Sequence, residues 1–342
     1  MRPRTRRAIA LLACLLALPL AAPRAEACGL FYYQRALSPE RRPSLAREKV
    51  LLIHDAARGR QHFVREVSFR RADQRLGFVV PTPTRPEVAA VQRTPFTKLR
   101  DRLPFAAVGH GSIGVGNAYG SGAGGGGSSG GVEVLATEKV GSFTAFVLAA
   151  SDAEGLAKWL RDNELSGTDA TTRWLEHYVA MGFYYVALRY DPPADAKASD
   201  KTIAAETIRI SFDTPLPYYP YFEPEVDTPQ SGPRLLEVWT ITSARVIPVA
   251  RTDDAGWRRP LKPGKEYTRR PTIEAALDDE LEGLLPAGDL VVQTFQDQKR
   301  SRRGFGDILF ASAAPKTFSA EEAAALGPLL GILDPGLVGG GR

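Results

Sequence analysis

Lys49 to His54 (KVLLIH) and His62 to Arg70 (HFVREVSFR) stand on either side of Ala57-Arg58-Gly59. Two runs rich in β-branched and aromatic residues, broken by a short turn-like segment, predict a β-hairpin. In the second run Phe63, Arg65, Val67 and Phe69 share one face by period two, with Val64, Glu66 and Ser68 opposite. Gly77 to Val80 (GFVV) adds a third strand that stops at Pro81. Pro81 to Pro86 (PTPTRP) then forces an extended path, because proline fixes φ and removes a donor. A short helix is expected over Phe96 to Arg102.

Beyond this block, residues 109–131 hold 12 glycines in 23 positions, too much backbone entropy for a packed element, so the segment reads as a flexible linker. Strands are expected at Val132 to Ala136 and Ser142 to Leu148, then a helix opened by a Ser151/Glu154 capping box with Leu156, Trp159 and Leu160 on its apolar face. A second helix runs from about Thr172 to Met181, stopped by Gly182. Phe183 to Tyr190, Thr207 to Phe212 and Leu236 to Val249 extend the sheet. Further on, Ile273, Leu277, Leu281, Leu284 and Leu285 predict one amphipathic helix, Leu290 to Phe295 a strand, and Ser319 with Glu322 a capped terminal helix.

The resulting fold class is α+β, with β-dominated sheets and a few packed amphipathic helices. The organisation expected is a leader (1–27), an N-terminal β-rich lobe (28–108), the glycine linker (109–131), an α+β lobe (132–250) and a C-terminal extension with two helices (251–342).

The leader rests on Arg2, Arg4, Arg6 and Arg7, the apolar run Ala8 to Leu20, and Ala25-Glu26-Ala27 as a small-x-small cleavage site. That run is shorter than the ~20 residues a spanning helix requires. The expected localisation is therefore export: periplasm, outer envelope or secreted. After residue 27 the chain carries 39 Lys+Arg against 38 Asp+Glu, so net charge gives no reason to expect nucleic acid. Cys28 becomes the first mature residue and the one remaining thiol. It is a lipidation candidate, and a membrane partner is expected only if it is acylated. Two cysteines in all exclude a disulfide scaffold and a four-thiolate zinc cage.

Several motifs dissolve in context. Gly109-His110-Gly111-Ser112-Ile113-Gly114 matches a dinucleotide fingerprint, and Gly127-Ser128-Ser129-Gly130-Gly131 a nucleophile elbow. Both lie in the glycine tract, without the strand-to-helix turn either one needs. His54, Asp55 and His62 offer two imidazoles and a carboxylate near one turn, so they stand as metal candidates against the reading of ordinary polar surface. The acidic residues Glu274, Asp278, Asp279, Glu280 and Glu282 surround a leucine stripe and read as a solvated helix face. Lys299, Arg300, Arg302 and Arg303 read as an exposed basic loop. In Pro215 to Pro229 (PLPYYPYFEPEVDTP), Tyr218, Tyr219, Tyr221 and Phe222 lie among five prolines. They form either a rigid aromatic platform for a peptide, glycan or envelope protein, or ordinary core covering the end of a sheet.

In order, Cys28-Gly29-Leu30-Phe31, Phe78 to Pro83, Pro86-Glu87-Val88, the glycine break, Val132 to Leu135 before Val140-Gly141, Asp152-Ala153, Tyr178 to Val186 and Ile208 to Phe212 make a pattern. It resembles the exported bacterial family catalogued as domain of unknown function 2330, over roughly residues 28–250. What the resemblance implies is export or association with the envelope; it brings no catalytic residue or cofactor to these positions. Family members often carry a second cysteine five residues after the first, where this chain has Tyr33, and some carry a carboxyl-terminal anchor absent here. No cofactor is expected. The leading expectation is a non-catalytic binding or structural module of the envelope; the alternative is a periplasmic hydrolase whose site no motif reveals.

Overall fold

The structure is a computed structural model that describes residues 30–33, 44–70, 76–106, 131–165, 169–191, 202–204, 206–224, 234–254, 256–299, 302, 304–312 and 326–333. Strands dominate, with a few helices packed on them, as the α+β reading expects. The hairpin that anchors that reading is present as β2 (Ser44–Asp55) and β3 (Arg60–Arg70). These two strands are the middle of an eight-stranded sheet in the order β15-β16-β12-β2-β3-β10-β5, with β9 (Thr202–Ala204) also on β3. The remaining members are β5 (Glu87–Ala90), β10 (Ile208–Asp213), β12 (Arg234–Thr242), β15 (Lys262–Tyr267) and β16 (Val291–Lys299). Only the β12–β2 pair in it is parallel; the others are antiparallel.

Val50 to Ile53 (VLLI) is continuously apolar because both faces of this sheet are covered. Leu51, Ile53, Val64, Trp239 and Ile241 point to one side. There they meet the helices α1 (Phe96–Arg102), α4 (Arg270–Glu274) and α5 (Asp279–Glu282). Trp239 anchors this layer: its indole N–H donates to the Leu103 carbonyl at 2.9 Å, and Phe105 meets it edge-on at 4.4 Å. Val50, Leu52, Phe63, Val67, Leu236 and Val238 point the other way, into the larger core.

That core is shared with a five-stranded sheet in the order β1-β4-β8-β7-β6. Its strands are β1 (Leu30–Tyr33), β4 (Leu76–Thr82), β6 (Val132–Val140), β7 (Phe143–Ala150) and β8 (Tyr184–Tyr190). Phe69 of β3 lies 6.5 Å from both Phe78 of β4 and Tyr190 of β8, which fixes the two sheets face to face. On β7, Phe143 faces that interior while Phe146, of opposite parity, meets Trp159 of α2 (Ala153–Asp162) at 5.2 Å. Behind the five-stranded sheet, α2 packs beside α3 (Asp169–Ala180). The layers therefore run helices, sheet, sheet, helices. A small third sheet, β11-β17-β13-β14, closes one end of the core: β11 (Tyr218–Tyr219), β13 (Ile247–Arg251), β14 (Trp257–Arg258) and β17 (Ile308–Ala311).

β4 pairs with β8 across the glycine tract, and β16 from residues 251–342 pairs with β12. Three expectations change. The run Leu236 to Val249 splits after Thr242, and its two halves enter different sheets. The cap of α2 is Asp152, not Ser151; its carboxylate accepts from the Gly155 amide at 2.5 Å, while Ser151 reaches back to Gly131. The leucine helix after Arg270 breaks into α4 and α5, because Asp278 adopts extended backbone (φ −97°, ψ 158°) between them. The leader, Cys28, residues 107–130 of the glycine region, and Ser319 with Glu322 lie outside the described residues.

Gly77 shows how tightly the sheet and the loop after α2 meet. A Cβ there would lie 2.1 Å from the Leu165 side chain and 2.6 Å from the Leu188 carbonyl oxygen. Gly77→Ala is expected to cost about 1–3 kcal/mol of stability, the range for overpacking a well-filled core. Urea unfolding checks it; a cost within error would mean that the loop at Leu165 gives way freely.

Candidate functional site

The metal candidates do not converge. In the β2–β3 register His54 sits opposite Gln61 while His62 sits opposite Ile53, so the two imidazoles occupy alternate positions and leave opposite faces of the sheet. The His54 Nε2 bonds the Thr214 carbonyl at 2.9 Å, in the interior. Asp55 builds the turn, accepting from the Ala57 and Arg58 amides at 3.0 and 3.2 Å. Among the described residues no group of three or more His, Cys, Asp or Glu could hold a metal ion. The metal reading is corrected by strand alternation.

His62 does make a contact of chemical interest. Its Nδ1 lies 2.8 Å from Ser211 Oγ on β10, and a Ser–His pair is the start of nucleophilic catalysis. Two features work against that chemistry. Ser211 is 3% exposed, so an acyl carbon has no approach to its oxygen. Burial, helped by the Arg209 and Arg60 guanidiniums, pulls the His62 pKa down to about 4, far from the near-neutral value a general base needs. Because the folded value lies below the ordinary 6.5, this contribution to stability is complete above pH 6.5 and is lost as pH falls through about 4. Accordingly, the His62 ring signals in NMR are expected to stay unchanged from pH 8 to about 5.5 and titrate near 4. A midpoint near 6.5 would mean that the ring is solvated and free.

The aromatic segment is the larger surprise. Tyr218, Tyr219 and Tyr221 are each 0% exposed, and Phe222 is half-buried. The exposed platform is thereby corrected to core, and the reason is Asp307. Its carboxylate accepts from the Tyr178 hydroxyl on α3 at 2.9–3.0 Å and from the Tyr218 hydroxyl at 2.9 Å. It also accepts from the Tyr221 and Phe222 backbone amides at 2.8 and 2.9 Å. One buried acid thus satisfies four donors from two parts of the chain, one on α3 and three in the proline-rich segment, which that irregular segment cannot satisfy by itself. Burial raises Asp307 to about 6 against the lowering effect of these donors. Burial and the adjacent carboxylate push Tyr178 and Tyr218 well above their usual range.

Beside it lies a second buried network. Glu223 meets Arg234 at 2.7 Å and Arg302 at 3.6 Å, and Arg302 Nε donates to Asp297 at 2.8 Å. Tyr221 donates its hydroxyl to the same Asp297 at 2.9 Å, and Lys299 donates to that hydroxyl at 3.2 Å. Burial raises Glu223 while Arg234 and Arg302 oppose the rise. Arg302 is 1% exposed, so this part of the expected basic loop is interior. Sequence reading missed Asp307 and Glu223, and placed Arg302 on the surface. The one local signal was an acid set directly against an apolar run, Asp307-Ile308-Leu309-Phe310.

Among solved structures, the crystal structure of baculovirus P35 is similar over 81% of this chain and 99% of that one, at 8% identity and a TM-score of 0.39. A likeness of that size carries no argument about fold or function. No curated protein matches the chain. The family described as an uncharacterized protein conserved in bacteria, DUF2330, matches residues 22–310, a span that takes in both sheets of the core, the tyrosine segment and Asp307. The chain belongs to that family.

Proposed function

We infer that this is an exported protein of the bacterial envelope or the secreted medium that works as a binding or structural module, with an envelope protein, a peptide or a glycan as its partner. Export is supported by the arginine-rich start, the apolar run to Leu20 and the Ala25-Glu26-Ala27 site. The observation that carries the non-catalytic part is where the displaced ionisable groups spend their bonds. Asp307 is occupied by two phenols and two amides, Glu223 by two guanidiniums, and Ser211 by a weakly basic imidazole. These are internal closures rather than reagents aimed at a substrate.

The test is retention from an envelope extract on the immobilised protein, with the Ser211→Ala variant alongside. The reading expects one component retained equally by both proteins and unchanged in mass. Turnover of an envelope component that stops in Ser211→Ala would replace it with the hydrolase reading. Mass spectrometry of the native amino terminus decides separately whether Cys28 carries acyl chains.

A further inference from the structure

Near-balanced net charge conceals a local excess. Residues 257–269 contain five basic side chains (Arg258, Arg259, Lys262, Lys265 and Arg269) and one acid, Glu266. All five basic residues are exposed. Arg258 is matched by Asp254 at 3.2 Å, and Glu266 is claimed by Arg245 at 2.6 Å. No acidic group among the described residues forms an ion pair with Arg259, Lys262, Lys265 or Arg269. Since residues 28–342 sum to +1 and this stretch to +4, the remainder sums to −3 (1 − 4). Lys262 and Lys265 lie on β15, the outermost strand of the eight-stranded sheet, with Arg259 just before it and Arg269 just after it, while Arg258 lies on β14.

The backbone of that outermost strand narrows what it can receive. An extended peptide adds to a sheet edge through a regular row of N–H and C=O groups. Here Pro263 has no N–H, the register against β16 shifts between Pro263 and Glu266, and the Lys265 amide is already spent on Thr294 Oγ1 at 2.7 Å. Strand addition is blocked, so recognition falls to the cationic side chains fanning out from a terminal strand.

We propose that the Arg259–Arg269 rim docks the protein onto an anionic lipid surface, with Lys262 and Lys265 as its principal contacts. The attachment goes beyond the binding of an envelope partner and needs no acyl chain on Cys28.

The test is co-sedimentation of the exported protein, freed of residues 1–27 whose own arginines and apolar run would bind anionic vesicles, with phosphatidylglycerol-rich vesicles and with neutral phosphatidylcholine vesicles. Binding is expected to the anionic vesicles at low salt and to vanish in about 1 M salt, where the screening length is ~3 Å. Lys262→Glu/Lys265→Glu is expected to weaken partitioning by about tenfold or more, at the strength expected for basic residues near an anionic leaflet. Arg161→Glu/Arg173→Glu makes the same change in net charge on exposed positions of α2 and α3, in the opposite outer layer, and is expected to leave partitioning within about twofold. Equal loss in both double variants, or no preference for anionic vesicles, would overturn the proposal. So would binding to soluble polyphosphate with no vesicle binding, which would assign the rim to a soluble polyanion. If the envelope component is still retained while vesicles are ignored, the rim assignment fails and the binding-module reading stands.

Discussion

Asp307→Ala is expected to lower the unfolding free energy by about 4 kcal/mol. The carboxylate is 2% exposed and holds two phenols and two backbone amides that have no water to turn to. Each stranded buried donor costs roughly 1–3 kcal/mol. Asp307→Asn is expected to cost much less, about 1 kcal/mol, because Oδ1 still accepts from the amides and the phenol hydroxyls rotate to accept from the new NH2. The two variants also separate in pH. Asp307 is raised from 3.8 to about 6, so the folded state holds an extra proton between those values. Its contribution is therefore greatest below pH 3.8 and is lost as pH rises through about 6, roughly 3 kcal/mol at full extent. Denaturant unfolding at several pH values should show this slope as a difference between wild type and Asp307→Asn, which cancels the opposing slopes of His54, His62 and His177, each held below the ordinary imidazole value chiefly by desolvation. A cost under ~1 kcal/mol for Asp307→Ala would mean that the tyrosine segment is held by apolar contact alone.

Glu223→Leu is expected to cost about 3–5 kcal/mol, since it leaves the buried Arg234 guanidinium with no acid partner among the described residues and Arg302 with Asp297 alone. The compensated variant Glu223→Leu/Arg234→Met should recover at least half of that loss. It removes a charge of each sign and leaves Arg302 with Asp297. The same unfolding experiment reads both. A double variant no better than the single one would show that Arg234 is stabilised independently of Glu223.

Local signals carried the reading a long way. The β2–β3 hairpin and α1 at Phe96–Arg102 are legible because each is decided by periodicity within a dozen residues. What stayed hidden is long-range. β4 and β8 belong to one sheet but lie about a hundred residues apart, and nothing in GFVV names YYVALRY as its neighbour. The tyrosine segment illustrates the same limit from the side of function. Proline and tyrosine density marks Pro215 to Pro229 as irregular and aromatic, properties a surface platform and a core wedge share. Burial was decided by an aspartate 85 residues away that supplies the acceptors the segment lacks. His54 and His62 failed as a pair for a simpler reason, the parity of a strand register that the turn length alone leaves open.

The cationic rim was also invisible to net charge, because the arginine-rich first 27 residues and the acidic remainder mask a cluster only 13 residues long. Its lysines sit on an exposed edge strand, where positive charge and proline are standard protection against edge pairing. That role and lipid docking are compatible, since both require the side chains to point away from the sheet.

We propose that the displaced acids, phenols and imidazole of this protein are structural closures and that it works by binding. The most direct measurement follows envelope extract incubated with wild-type protein and with Ser211→Ala, recording what is retained and whether its mass has changed. The account predicts the same retained component, chemically intact, in both samples. A cleaved or modified product that forms with wild type and disappears with folded Ser211→Ala would contradict it.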